Sequence, residues 1–243
     1  MKLLKYLGGA CLLGLMASCG ARTETGKEAQ ETYGHSLNDS IRAVEADIDS
    51  CREQITLLND QIGAWMRDFT NVANPREAGG YLIKTDWKNR YPLTSTGIVA
   101  RINDNGQFEL IAALKGGNFD CISVAGPTES ASSDIVPNDQ ALNYRAAGLT
   151  TVLFTGPKAD EIGRLISDNQ LNPLTLDFLQ GSRVSSWKIP ADNAKMISYT
   201  YLLYDAQRNV ARAQAKIPML QEKIKILRIH RNKLETDTES SEK

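Results

Sequence analysis

The sequence predicts an α+β protein in which two long helices form an antiparallel coiled-coil stalk, with a mostly antiparallel β domain inserted between them. Two observations carry this prediction. Apolar residues recur at alternating spacings of four and three on both sides of the middle of the chain, and the middle alternates apolar with polar residues in short runs. A net charge of -1 over 243 residues argues against a nucleic-acid binder, which would carry a basic surplus.

The first residues have the features of a lipoprotein signal peptide. Lys2 and Lys5 precede an apolar stretch over residues 7–16, which is shorter than the roughly 20 residues that a membrane-spanning helix needs. The stretch leads into Ala17-Ser18-Cys19, and two small residues before a cysteine resemble a lipobox, where the signal peptide is removed and the cysteine is lipidated. We expect a signal peptide over residues 1–18 and a lipid anchor on Cys19. An ordinary secretory signal peptide is the alternative.

Residues 19–36 are polar and contain almost no large apolar side chains. Such a composition cannot bury a core, so the sequence predicts a flexible tether between the lipid and the folded body. The anchor and tether place the protein on a membrane of a bacterial cell envelope. The residue after the anchor is Gly20 rather than aspartate, which favours the outer membrane and leaves the periplasmic or surface face open.

A heptad pattern predicts the first coiled-coil helix over residues 37–73. Its apolar residues keep spacings of four and three for about five heptads, which is typical of a coiled-coil seam. Asn74-Pro75 ends the helix, because the residue before a proline avoids the helical region. The seam residues are Leu37, Ile41, Val44, Ile48, Cys51, Ile55, Leu58, Ile62, Trp65, Phe69 and Val72.

The same pattern returns after Pro190 and predicts the second coiled-coil helix over residues 191–235. We expect Pro218, inside the pattern, to kink the helix or loosen one turn. The first helix is mainly acidic and the second mainly basic, which favours pairing between them; self-association of either helix is the alternative. The acidic, polar tail over residues 236–243 is predicted to be disordered. The second seam comprises Met196, Tyr199, Leu203, Ala206, Val210, Ala213, Ile217, Leu220, Ile224, Leu227 and Leu234, with Arg231 at the remaining position.

Residues 76–189 predict a β-rich domain that is long enough to bury its own core. Asn103-Asp104-Asn105-Gly106 indicates a hairpin turn, and Pro157 marks the first turn of one helix. The polar segment 126–148 is long for a loop, and it is either a partner-binding loop or disordered. Strands are predicted over residues 80–85, 96–103, 107–114, 119–125, 150–155, 174–179 and 183–188.

The composition limits the chemistry of the β domain. Both histidines, His35 and His230, lie outside it, so a Ser-His or multi-histidine metal site cannot form there, and we expect no metal or cofactor. Cys51 and Cys121 are expected to be core residues, too far apart along the stalk to form a disulfide. Carboxylates at turns and strand ends leave a hydrolase site open. They are Asp86, Asp104, Glu109, Asp120, Glu129 and Asp134.

Four aromatic residues of the β domain are candidates for partner binding: Trp87, Tyr91, Tyr144 and Trp187. Aromatic side chains are enriched at the centres of protein interfaces, which is the reason for singling them out. In a small β domain, a place in the core is the commoner role for Trp87, Tyr91 and Trp187. Tyr144 lies within the polar segment 126–148.

The lipobox, the two stalk helices and the β-rich insert resemble the architecture of lipoproteins of Gram-negative envelopes. The run from Leu174 to Gly181, followed by Pro190 and the second helix, is similar to their strand-to-helix junction. The resemblance implies no particular activity. We expect a non-enzymatic, lipid-anchored protein that presents its β domain to an envelope protein or a glycan. A carbohydrate-acting or other hydrolase is one alternative, and an oligomeric component of an envelope assembly, formed through the coiled coil, is the other.

A Cys19→Ala protein tests the anchor. It should fold normally, because Cys19 lies outside the predicted core, but it should move from the membrane fraction to the soluble fraction. Fractionation with immunoblotting and circular dichroism measure the two effects. Continued membrane attachment would contradict lipidation at Cys19, and misfolding would contradict the separation of anchor from fold.

Overall fold

The computed structural model describes residues 25–74, 79–139 and 141–240, and it confirms the predicted α+β fold. Two long helices, α1 (Thr25–Trp65) and α3 (Ala191–Ser240), pack together, and antiparallel sheets are inserted between them along with helix α2 (Pro157–Asp168). The strands are β1 (Phe69–Asn74), β2 (Gly79–Lys84), β3 (Gly97–Asn103), β4 (Phe108–Lys115), β5 (Cys121–Ala125), β6 (Ser130–Ser132), β7 (Asn143–Ala146), β8 (Leu149–Thr155), β9 (Leu174–Gln180) and β10 (Arg183–Ile189).

The strands form two sheets in which neighbouring strands are antiparallel. One is six-stranded with the order β1-β2-β3-β4-β8-β7, and the other is four-stranded with the order β10-β9-β5-β6. The predicted hairpin joins β3 to β4, where the amide of Gly106 donates to the carbonyl of Asn103 over 2.8 Å. Glycine suits this turn because φ is +72° at Gly106. All seven predicted strands are present in the structure.

One large apolar core joins both sheets, α2 and the start of α3. Phe119, just before β5, links the sheets: its ring lies 4.8 Å from that of Phe178 and 6.4 Å from that of Phe154. Strands β3 and β4 are buried along nearly their whole length, as expected for the centre of a covered sheet. The helix predicted at Pro157 packs its apolar face into this core through Ile162, Leu165 and Ile166.

The predicted apolar seam between the two long helices is present, and the helices are antiparallel. Within the described residues, each helix contributes to two compact units, one formed by residues 25–46 with 220–240, the other lying within residues 47–219. In the first unit, Arg228 donates to Glu45 over 3.0 Å. In the second, Ile62 packs against the cluster that contains Leu203. The buried seam residues of the two helices are Leu37, Ile41, Val44, Ile48, Cys51, Met196, Leu203, Ala206, Val210, Ala213 and Ile224, of which Met196 packs in the core of the β domain.

The boundaries of the first helix differ from the prediction at both ends. Residues 25–36, predicted to be a flexible tether, are helical in the structure. Several of them are good helix formers, and extending an existing helix avoids the cost of nucleation. At the other end α1 stops at Trp65, and a 3₁₀ turn over residues 66–68 leads into β1. Cys19, the predicted lipid site, lies outside the described residues.

Phe69 and Val72 therefore do not belong to the helical seam, and the β-rich domain begins before residue 76. Strand β1 pairs with β2 in a register that sets Phe69 opposite Lys84 and Val72 opposite Tyr81. Phe69 is buried against Ile102. Strand pairing and this burial outweigh the local heptad spacing.

Two further segments are ordered in their described parts. The sequence predicted disorder for residues 236–243, and it predicted either a partner-binding loop or disorder for residues 126–148. Residues 236–240 continue α3, whereas residues 241–243 lie outside the described residues. The segment 126–148 supplies the edge strands β6 and β7, one to each sheet, so the disorder alternative is wrong for its described part. Asp139 fixes the turn before β7, because its carboxylate accepts the amides of Ala141 and Leu142. These hydrogen bonds lower the pKa of Asp139.

The tightest contact of α2 with the core is at Gly163, and it gives a test of the packing. A methyl group there would lie 2.7 Å from Phe108 Cε1 and 2.7 Å from Tyr201 Cδ2. A Gly163→Ala protein should therefore lose about 1–3 kcal/mol of unfolding free energy in urea denaturation. At Gly63 in α1, a methyl group would meet nothing within 4 Å, so Gly63→Ala should gain about 0.5–1 kcal/mol. Equal effects of the two changes would contradict this packing.

Candidate binding pocket at the start of α3

A pocket of about 270 Å³ opens where the start of α3 meets the chain that follows β2. Three separate segments form its wall: the 3₁₀ turn after α1, the end of β2 with the 3₁₀ turn over residues 85–87, and the first turns of α3. Its lining residues carry three acidic and three basic side chains. The lining comprises Asp68, Lys84, Asp86, Trp87, Arg90, Asp192, Lys195, Met196 and Tyr199.

The local fold explains why these side chains converge. On α3, Lys195 and Met196 each lie three or four residues from both Asp192 and Tyr199, so the four residues lie on neighbouring turns of one side of the helix. The hydroxyls of Thr70 and Thr85 lie 2.9 Å apart and join β1 to the start of the second 3₁₀ turn.

Lys84 is the central charge of the pocket. Its side chain is 14% exposed, and its Nζ lies 3.5 Å from Asp86 and 3.9 Å from Asp68. The same Nζ is 5.5 Å from the centre of the Tyr199 ring, within cation–π range. The mostly buried Lys84 side chain thus places its ammonium group between two exposed acids and an aromatic ring, an arrangement that suits a binding site.

Two aromatic rings of the pocket make further contacts with cations. Arg90 lies over the ring of Trp87 at 5.0 Å, and Lys195 lies 6.0 Å from the centre of the Tyr199 ring. Because acidic and basic groups both line the pocket, its chemistry suits a ligand that carries both charges, such as a peptide segment or a saccharide with amino and carboxylate groups.

The predicted aromatic residues are not brought together into one surface. Trp87 lines the pocket but is mostly buried. Trp187 is half-buried on β10, and Tyr144 is 42% exposed on the edge strand β7. Strand β7 is four strands away from β2, which is roughly 19 Å at the usual strand spacing.

Tyr91 has a structural role in covering a buried ion pair. Arg101 and Glu109 face each other on β3 and β4, and the Arg101 Nε donates to the Glu109 carboxylate. Arg101 also donates to the Tyr91 hydroxyl over 3.1 Å and lies 4.5 Å from the centre of the Tyr81 ring. Hydrogen bonds and ring contacts offset the cost of burying these two charges.

The sequence analysis named six carboxylates as candidates for a hydrolase site. Only one of the six, Asp86, lines the pocket. Glu109 pairs with Arg101, and Asp104 accepts the amide of Gly80. Glu129 and Asp134 bind side chains of α2, and Asp120 lies just before β5. These positions do not form a paired carboxylate site.

The other lining residues were missed by the sequence analysis. Tyr199 and Met196 were assigned to the helical seam, and Asp68 was assigned to the first helix. Lys84 and Lys195 are ordinary surface types with no distinguishing spacing, since they converge through tertiary structure. The proximity of Asp86 and Trp87 in the sequence was the one available signal.

A second charged cluster holds α2 against α3. Asp160 in the first turn of α2 accepts the Tyr204 hydroxyl over 2.7 Å and Arg208 over 3.0 Å, and Arg208 also binds Asp205 at 2.6 Å. Burial raises the pKa of Tyr204, and its hydrogen bond to Asp160 raises it further. The contacts are all intramolecular, and the cluster serves to dock α2.

The pKa of Tyr204 gives a pH-dependent prediction. At pH 8 a Tyr204→Phe protein should be about 1–2 kcal/mol less stable, because the bond to Asp160 is lost. The raised pKa favours the folded state below about pH 10, where unfolded tyrosine stays protonated, and this contribution is lost as pH rises further. The stability gap between the two proteins should therefore narrow from pH 8 to pH 11 in urea denaturation. A gap that stays constant would contradict the account.

The described residues hold neither a metal-ligand cluster of three or more histidine, cysteine, aspartate or glutamate side chains nor a helix apolar enough to cross a membrane. Cys51 is buried and Cys121 half-buried, and they do not form a disulfide. Comparison of the chain with protein-family models, with curated proteins and with solved structures found no match.

Proposed function

We propose that this protein is a lipid-anchored, non-enzymatic component of a bacterial cell envelope whose β domain binds an envelope protein or a glycan. The lipobox at Cys19 supports the anchor, and the outer membrane is the favoured site. The pocket at the start of α3 supports binding. In this proposal the helix pair carries the β domain, and the partner enters the pocket with groups of both charges.

The placement of Lys84 is the observation that carries the proposal. An ordinary surface lysine is solvated, but the Lys84 side chain is 14% exposed beside Asp68, Asp86 and Tyr199. A partner carboxylate or carbonyl could replace one of these acids at Lys84, and partner amines could bind the acids. Groups fixed before binding lose less conformational freedom when a ligand enters.

Hydrolase chemistry is less well supported by the pocket. General acid catalysis needs a protonated carboxyl group near the scissile bond. Asp68 and Asp86 both lie beside the Lys84 ammonium group, an arrangement that suits binding of a charged ligand.

An assembly role has one observation in its favour. Ile226 and Ile229 on α3 are 49% and 64% exposed, and exposed apolar residues on one helix favour contact with a second copy or another helical protein. The mass of the protein in solution, without its lipid, separates a monomer from such an oligomer.

Crosslinking from native envelopes tests the proposed function. A doubly substituted Asp86→Ala, Lys195→Ala protein removes one acid and one base at the pocket rim, both exposed in the free protein. We expect the lipidated wild-type protein to recover a partner and the variant to recover about tenfold less, the effect of losing a charged contact.

A Glu53→Ala, Lys216→Ala protein is the matched control, because it removes one exposed charge of each sign from the helix pair. The control should recover the partner at the wild-type level. Equal recovery by the pocket variant, or recovery of no partner by the wild-type protein, would contradict the proposal.

A further inference from the structure

We propose that a second site, a basic groove beside the β9–β10 hairpin, binds an acidic oligosaccharide that carries carboxylate or phosphate groups. The groove has a volume of about 580 Å³ and is formed by the end of β4, the turn after it, β7 and the β9–β10 hairpin. This volume is within the usual range for ligand sites. The groove shares no lining residue with the pocket at the start of α3.

The groove has one sign of charge. Lys115, Arg145 and Arg183 line it, and no carboxylate does. Over residues 25–74, 79–139 and 141–240, none of these three cations pairs with an acidic side chain. The three come from β4, β7 and β10, so the fold concentrates unpaired positive charge at one place in a chain of net charge -1.

Three other cations of the β domain are paired with acids. Arg101, Lys158 and Arg164 pair with Glu109, Asp134 and Glu129, each within 3.3 Å. Unpaired cations that converge on one cavity raise its potential and attract anions. The groove therefore differs from the surroundings of these three paired cations, because it gathers three cations and no carboxylate.

Hydrogen bonds orient one of the groove cations. Arg145 Nη1 donates to the Asn118 side-chain oxygen over 3.1 Å, and the Thr150 hydroxyl donates to the same oxygen over 3.1 Å. This contact favours one orientation of the guanidinium group while using one of its five N–H donors. A planar, oriented guanidinium group is well suited to bind a carboxylate or a phosphate through two parallel hydrogen bonds.

Neutral hydrogen-bonding groups lie between the cations, and they favour a saccharide over an acidic peptide. Asn118, Gln180 and Ser185 line the groove and can bind hydroxyls between the acidic groups of a sugar chain. An exposed aromatic anchor of the kind that dominates protein interfaces is missing from its lining, where Phe178 is 2% exposed.

Isothermal titration calorimetry of the full-length protein tests the groove. Trigalacturonate supplies carboxylates, maltotriose phosphate supplies phosphate, and maltotriose is the neutral reference. We expect at least one of the acidic sugars to bind, maltotriose not to bind, and affinity to fall as salt is raised from 50 to 300 mM because charges are screened. An Arg145→Gln, Arg183→Gln protein should bind about tenfold more weakly or worse.

A Lys188→Gln, Arg212→Gln protein is the control, because it removes the same charge from exposed positions outside the groove. It should bind as the wild-type protein does. Equal losses in both variants, binding of maltotriose at the same affinity, tighter binding of hexaglutamate, or no binding of either acidic sugar would overturn the proposal. Circular dichroism of both variants checks that the fold is retained, and the proposed function of the α3 pocket does not depend on the result.

Discussion

Leu203 of α3 is fully buried at the point where the helix pair joins the six-stranded sheet. It packs with Phe69 of β1 and Ile102 of β3, and Trp65 at the end of α1 lies against the same cluster. Burying a leucine side chain contributes about 1.5–3 kcal/mol. Leu203 is more important for the geometry of the protein. One face of α3 packs against the sheet on the N-terminal side of Leu203 and against α1 on its C-terminal side.

This shared face explains how the candidate pocket is built. Met196 and Ile197 in the first turns of α3 are buried in the core of the β domain, which fixes the rotation of the helix about its axis. With the rotation fixed, Lys195 and Tyr199 are held beside Lys84 at the end of β2. The basic groove depends instead on the two sheets, since its cations lie on strands of both. The domain thus presents two chemically different surfaces from one core.

The sequence predicted features that depend on local periodicity and missed those that depend on distant contacts. Away from the ends next to the β domain, the helical seam was predicted correctly because its spacing is a property of each helix alone. Phe69 and Val72 continued that spacing, and only pairing with β2 makes them strand residues. Strands β6 and β7 were missed because they are short and polar, and contacts such as Arg164 with Glu129 hold the segment in place. Trp87 was predicted at a site, whereas Lys84 and Lys195 were found only once the fold brought them together.

Hydrogen exchange measured on the protein in its native envelope tests the central claim that the β domain is the binding part of the molecule. Compared with the purified protein, the account predicts slower exchange at residues 84–90 and 192–199, which line the pocket, because a bound partner excludes water and restricts opening there. Slower exchange confined to the exposed faces of α1 and α3, with these two segments unchanged, would contradict the account and identify the helix pair as the binding part.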